Sequence, residues 1–109
     1  MVKSVSEIKK IARMYKDELN RHKIRIVKMI LYGSYASGKA SSYSDIDLII
    51  VSPDLARFHP LERQELLAQW TMNIDAPLEV IGYTPKEFKG SRSTIFGQII
   101  HQTGKLLYA

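Results

Sequence analysis

The chain has 109 residues, 45% of them apolar and 25% charged, with no cysteine, proportions that suit one soluble globular domain spanning 1–109. They exclude disulfides, thiolate metal sites and a Cys nucleophile; no apolar run exceeds four residues where a membrane helix needs ~20, and the start lacks a signal-peptide stretch, so a cytoplasmic protein is expected. The net charge of +5 is unevenly spread, because residues 1–30 hold nine Lys/Arg against Glu7, Asp17 and Glu18, whereas residues 31–109 are close to neutral. No aromatic residues interleave the basic ones as they do in single-strand binders, so a solvated Lys-rich helix face is the stronger reading of that charge and nucleic-acid binding the weaker.

Ser4-Val5-Ser6-Glu7 reads as a capping box. Val5, Ile8, Ala12, Tyr15 and Leu19 then recur at three- and four-residue steps, the apolar stripe of a helix of about five turns. From Ile24 to Tyr32 the apolar residues are too dense for an amphipathic helix and predict a buried strand. Gly33-Ser34 ends it. A small, polar stretch follows, and a second buried strand is predicted from Asp45 to Val51. Pro60 after His59 marks a helix entry, with Leu61, Leu66, Leu67 and Trp70 as its core face. Asp75-Ala76-Pro77 reads as a turn before a third strand, Leu78 to Tyr83. Thr84-Pro85-Lys86-Glu87 is a second capping box. Ile95, Phe96, Ile99 and Ile100 form the apolar face of a closing helix, and Leu106 to Tyr108 suit a short final strand. Strands alternating with helices predict an α/β (α+β) fold, a small mixed sheet with helices mainly on one face.

The stretch from Gly33 to Leu48 carries the chemistry. Side chains alternate along a strand, so Asp45 and Asp47 point to one side while Ile46 and Leu48 point into the core. Two carboxylates ~6.5–7 Å apart along the strand repel one another unless a cation joins them. Oxygen ligands of this hardness suit Mg²⁺, which readily shares substrate phosphates. Gly33 permits a sharp turn and the close approach of a phosphate. Ser34 adds a hydroxyl and an N–H, and a short helix beginning at residue 34 would add further donors. One strand end thus offers anion donors and the next offers cation ligands, as a Mg²⁺-nucleotide requires. The three histidines are scattered, Tyr35 and Tyr43 are expected to pack locally, and Ser44 is placed to orient the Asp45 carboxylate.

Gly33-Ser34, ten intervening residues and Asp45-Ile46-Asp47 resemble the signature of the DNA polymerase β-like nucleotidyltransferase superfamily. The Ser-Asp-Ile-Asp-Leu wording and Gly38 fit as well, and the order of elements is similar over nearly the whole chain. The match is closest to the minimal nucleotidyltransferases. The resemblance implies the nucleotidyltransferase fold and transfer of a nucleoside monophosphate, AMP from ATP first, to an acceptor hydroxyl. It implies that Gly33 and Ser34 hold the triphosphate, where Lys39 is the further candidate, and that Asp45, Asp47 and a third carboxylate ligate two Mg²⁺ ions and activate the hydroxyl. Glu79, the only acid inside the third strand, is the candidate for that third position and Asp75 the runner-up. Ser37 stands where many members carry Arg and cannot neutralise a phosphate; Lys39 or Arg92 is expected to supply the missing charge. Minimal members are often antitoxins paired with a small helical HEPN protein, so the resemblance implies that partner, and a Tyr of it as acceptor. The alternative is a weakly active or inactive nucleotide-binding module that neutralises such a partner by contact alone.

Overall fold

The computed structural model describes residues 2–108. Helix α1 (Val5–Arg21) opens on the Ser4/Glu7 capping box. Strand β1 (Lys28–Tyr32) leads into the four-residue helix α2 (Ser34–Ser37), and β2 (Ile46–Val51) follows the polar loop. Helix α3 (Pro60–Gln69), β3 (Leu78–Tyr83), α4 (Pro85–Gly90), α5 (Ile95–Thr103) and β4 (Lys105–Tyr108) complete the chain. The four strands form one mixed sheet in the order β3-β2-β1-β4. Strand β1 runs antiparallel to both β2 and β4, and β2 runs parallel to β3 through α3. That crossover helix is what a parallel pair requires.

Alternation along the strands divides the core in two. Met29, Leu31, Ile46, Leu48 and Ile50 face α1 and α3, where they meet Ile8, Tyr15, Leu19 and Leu67 in the larger cluster. Ile30, Ile49 and Val51 face the other way, against Phe88 and Ile100. Tyr15 is fully buried, and its hydroxyl donates to the Leu67 carbonyl at 2.8 Å, tying α1 to α3. Burial, reinforced by the Glu18 charge, raises its pKa far above the usual phenol value. Buried Glu18 is held by Arg21, by His22 at 3.2 Å and by an N–H of Asn73 at 3.1 Å. The His22 ring also stacks on Trp70, 4.3 Å between centroids.

The outer edge of β3 is closed by side chains. Gly82 N–H donates to Gln64 Oε1 at 3.0 Å, and Gln64 Nε2 donates to the Val80 carbonyl at 3.2 Å. Arg63, itself buried, donates to the Gly82 carbonyl and to Glu87. A Cβ on Gly82 would lie 2.4 Å from a Leu67 methyl, so α3 packs this closely only over glycine.

Several expectations are corrected. The first strand begins at Lys28 rather than Ile24; Ile24 and Ile26 are buried by the fold around them without joining the sheet. Val5 and Leu61 are exposed, as are Ile95, Phe96 and Ile99, so α5 inserts chiefly Ile100 and Gly97. The last turn beyond α3, Trp70–Asn73, is a 3-10 turn. No helix of the described residues is long and apolar enough to cross a membrane.

Candidate active site

Gly33 joins β1 to α2 with φ +73° and ψ −150°, a conformation that side-chain-bearing residues avoid. Its second constraint is spatial. A Cβ at Gly33 would sit 2.1 Å from Asp47 Oδ2, so the Asp47 carboxylate lies directly against the backbone of the turn. The Gly33 carbonyl accepts from Ala36 and Ser37 N–H at 3.1 and 3.0 Å. Ser34 and Tyr35 precede those donors, and the N–H groups of a helix's first residues have no carbonyl within the helix to serve. The turn closes at Gly38, φ +79°, with Lys39 N–H donating to the Ser34 carbonyl at 3.0 Å.

The carboxylates gather next to this turn. Asp45 immediately precedes β2, and Asp47 is its second residue. In the parallel register Asp47 stands beside Glu79, on strands ~4.8 Å apart, and across β1 it faces Tyr32. Asp47 is pushed up to about 6, first by burial, then by the negative charges of Glu79 and Asp45, and finally by a hydrogen bond with Glu79. Tyr32 is raised to about 12 by burial and by the charges of Asp47 and Glu79. Its ring meets Phe96 edge-on at 5.7 Å. Three acids thus share one corner of the sheet with the Gly33 turn, and their repulsion is what a divalent cation would relieve.

The arrangement brings Gly33, Ser34, Asp45, Asp47 and Glu79 together. It leaves Lys39 exposed, with no ion pair among the described residues. Arg92 lies with Lys28, Val51 and Phe88 around a cavity at the other end of the sheet, too remote to replace an Arg at position 37. Asp75 is an exposed turn residue. Ser44 does not serve Asp45: its hydroxyl accepts from Ser41 N–H at 2.8 Å and closes the loop. Tyr35 packs against the core, its hydroxyl accepting from Lys3 N–H at 3.2 Å, whereas Tyr43 is 94% exposed. Tyr32 and Phe96 were not foreseen. Tyr32 could have been found by parity, being the strand residue that pairs with Asp47 on the same face.

The nucleotidyltransferase domain family model matches residues 8–101. The chain belongs to that family. A relative in Methanocaldococcus jannaschii, provisionally named a protein adenylyltransferase, is 38% identical over 64 residues, which is 56% of this chain and 73% of that one. Among solved structures, a provisionally named nucleotidyltransferase from Sulfolobus solfataricus superposes with TM-score 0.63 at 17% identity, over 97% of this chain and 87% of that one. A toxin–antitoxin structure with AMP-PNP gives TM-score 0.63 at 22% identity, over 93% of this chain and 73% of that one. These likenesses establish the nucleotidyltransferase fold, and the family match makes the chain a nucleotidyltransferase.

Among the described residues no three His, Asp or Glu side chains already converge to hold one ion. The donor set nevertheless fits Mg²⁺, which takes one or two carboxylates and completes its shell with water and phosphate oxygens. The raised pKa of Asp47, set by burial and two neighbouring acids, marks uncompensated negative charge where such a cation would sit.

Proposed function

We propose that this nucleotidyltransferase moves AMP from Mg²⁺-ATP to a protein hydroxyl, a Tyr of a small helical HEPN-type partner, in the manner of an antitoxin acting on its toxin. The observation that carries the reading is the contact of the Asp47 carboxylate with the Gly33 turn, which supports a phosphate-holding turn beside acid ligands. The relative's provisional name supports adenylyl transfer, and the toxin–antitoxin neighbour with AMP-PNP supports the partner class.

In this mechanism Gly33 lets the backbone approach the triphosphate, and the Ser34 hydroxyl and N–H hold its oxygens. Asp45, Asp47 and Glu79 would hold two Mg²⁺ ions. When bound, those ions neutralise the leaving pyrophosphate and acidify the acceptor hydroxyl. Glu79, which stands beside Asp47 on the neighbouring strand, orients that hydroxyl and receives its proton as the oxygen attacks the α-phosphorus. Positioning and electrostatics supply most of the rate, as in phosphoryl transfer generally.

One observation favours a second reading. The exposed Ser37 turns its hydroxyl onto the Ser34 carbonyl at 3.2 Å, so α2 presents no cation there, as a module that neutralises its partner by contact alone could tolerate. Thermal unfolding separates the two. Mg²⁺-ATP should raise the melting temperature of the parent and leave that of Asp45→Ala/Asp47→Ala unchanged. Incubation with ATP should add one AMP to the partner's mass. Absence of both effects would leave the contact-only module; a parent-like mass gain with Glu79→Ala would remove Glu79 from the mechanism.

A further inference from the structure

The basic first segment is not absorbed by the nucleotide site. It lines a groove between α1 and the edge strand β4. One stretch of the groove, about 330 Å³, has an apolar floor that includes Val5, Ile8, Leu31, Tyr35, Leu106 and Leu107. The next, about 440 Å³, shares Lys9 and Leu107 with the first and continues over Ala12 and Met29 to Tyr108. At its far end Lys16 Nζ stands 4.0 Å over the Tyr108 ring, bridging the two walls. From Val5 to Lys16 the groove follows ~16 Å of helix. Its rim carries Lys3, Lys9, Arg13, Lys16 and Lys105 against one acid, Asp17. Val5 is 72% exposed and Leu106 58%.

We propose that this groove docks an acidic amphipathic segment of another protein, apolar side chains on its floor and carboxylates on its basic rim. Charge complementarity selects the occupant. A nucleic acid would satisfy the rim, but its backbone has no aliphatic side chains to fill an apolar floor. A second copy of this chain would bring two five-cation rims together across a two-fold interface. An acidic segment satisfies both floor and rim, in the groove-binding mode used by amphipathic peptides. The inference is independent of the reading above, because the groove involves none of Asp45, Asp47 or Glu79. It does adjoin the phosphate turn from behind, through Tyr35 and Gly38.

The test uses two labelled 14-residue amphipathic peptides that share their Leu positions, one with Glu and one with Lys on the polar face, and a 12-nucleotide single-stranded RNA, read by fluorescence anisotropy. The Glu peptide should bind, weaken with salt, and lose at least ~10-fold in affinity to Lys9→Glu/Arg13→Glu. Leu106→Ser, an exposed position where folding should tolerate the change, should weaken it about fivefold. The Lys peptide and the RNA should bind at least ~10-fold less tightly than the Glu peptide. Equal binding of both peptides, indifference to both variants, or no binding of the Glu peptide would overturn the proposal. So would RNA bound more tightly than the peptide and unaffected by Leu106→Ser, which would make the groove a nucleic-acid surface. Light scattering that shows a dimer broken by Leu106→Ser would assign it to self-association instead and equally overturn the proposal.

Discussion

The two ends of β2 belong to one six-residue strand and do opposite work. From Leu48 to Val51 the strand is buried, with side chains alternating into the clusters on the two sheet faces. At the other end Asp47, only partly buried, points into an acid corner with Asp45 and Glu79. The packed end stabilises the fold through apolar burial, whereas the acid end stores repulsion that the fold must outweigh. The candidate site lies where the sheet runs out of core, and the packed residues beside it hold its backbone in place.

The largest expected effect tests that division at the acid end. Asp45→Ala/Asp47→Ala should lower nucleotidyl transfer by at least ~10³-fold, since the charge stabilisation that such groups supply is of that order or more. Its circular dichroism spectrum should match the parent's. A variant with near-parent activity would place the chemistry elsewhere. At the packed end, Leu48→Ala removes a fully buried side chain and should cost about 2–5 kcal/mol in urea unfolding. Activity per folded molecule should stay within a few-fold of the parent's. If activity falls as steeply as stability, the two ends are not separable.

Gly33→Ala strikes the junction between them. The new Cβ would meet the Asp47 carboxylate at 2.1 Å, on a backbone of φ +73°. Stability should fall by about 1–3 kcal/mol, and transfer should fall further than stability accounts for, because Asp47 has to move. Parent-like Mg²⁺-ATP affinity, read by calorimetry on the folded variant, would contradict the contact.

How much of this was legible in the sequence follows from the range of the forces involved. Both capping boxes are local, and both stand where expected, at Ser4 and Thr84. The residues of β3 follow from their dense apolar run, and the two-sided burial of β2 follows from a period of two. Docking is not local. Ile24 and Ile26 have the composition of a strand but are buried in the connection before β1. Ile95, Phe96 and Ile99 form an apolar stripe, yet α5 approaches the sheet through Gly97 and Ile100, where a Cβ on Gly97 would strike the Ser91 carbonyl. The proximity of Glu79 to Asp47 depends on parallel pairing between strands 32 residues apart. A lone acid in an apolar strand hinted at it, and only the register determined its neighbour.

The smallest effect is the most discriminating, because its sign is unusual. Asp47 binds its proton more tightly in the folded chain than an ordinary carboxyl does, at about 6 rather than the usual 3.8. Its ionisation therefore opposes folding in the metal-free protein. The penalty is absent below pH ~4, grows between pH 4 and 6, and is complete above pH ~6. Asp47→Asn removes the charge while keeping the shape, so it should stabilise the metal-free protein at pH 7.5 by about 1 kcal/mol, a value discounted for solvent screening of a half-exposed group. The gain should shrink steeply at pH 4, where the folded-state carboxyl is protonated and the unfolded-state one is close to half protonated. Saturating Mg²⁺-ATP should reverse the order at pH 7.5, stabilising the parent but not the variant. Paired thermal melts at the two pH values, with and without nucleotide, read all of this. A destabilised Asp47→Asn at pH 7.5 without nucleotide would mean that the acid corner is already neutralised by the fold itself, and that the contrast between the two ends of β2 is one of burial alone.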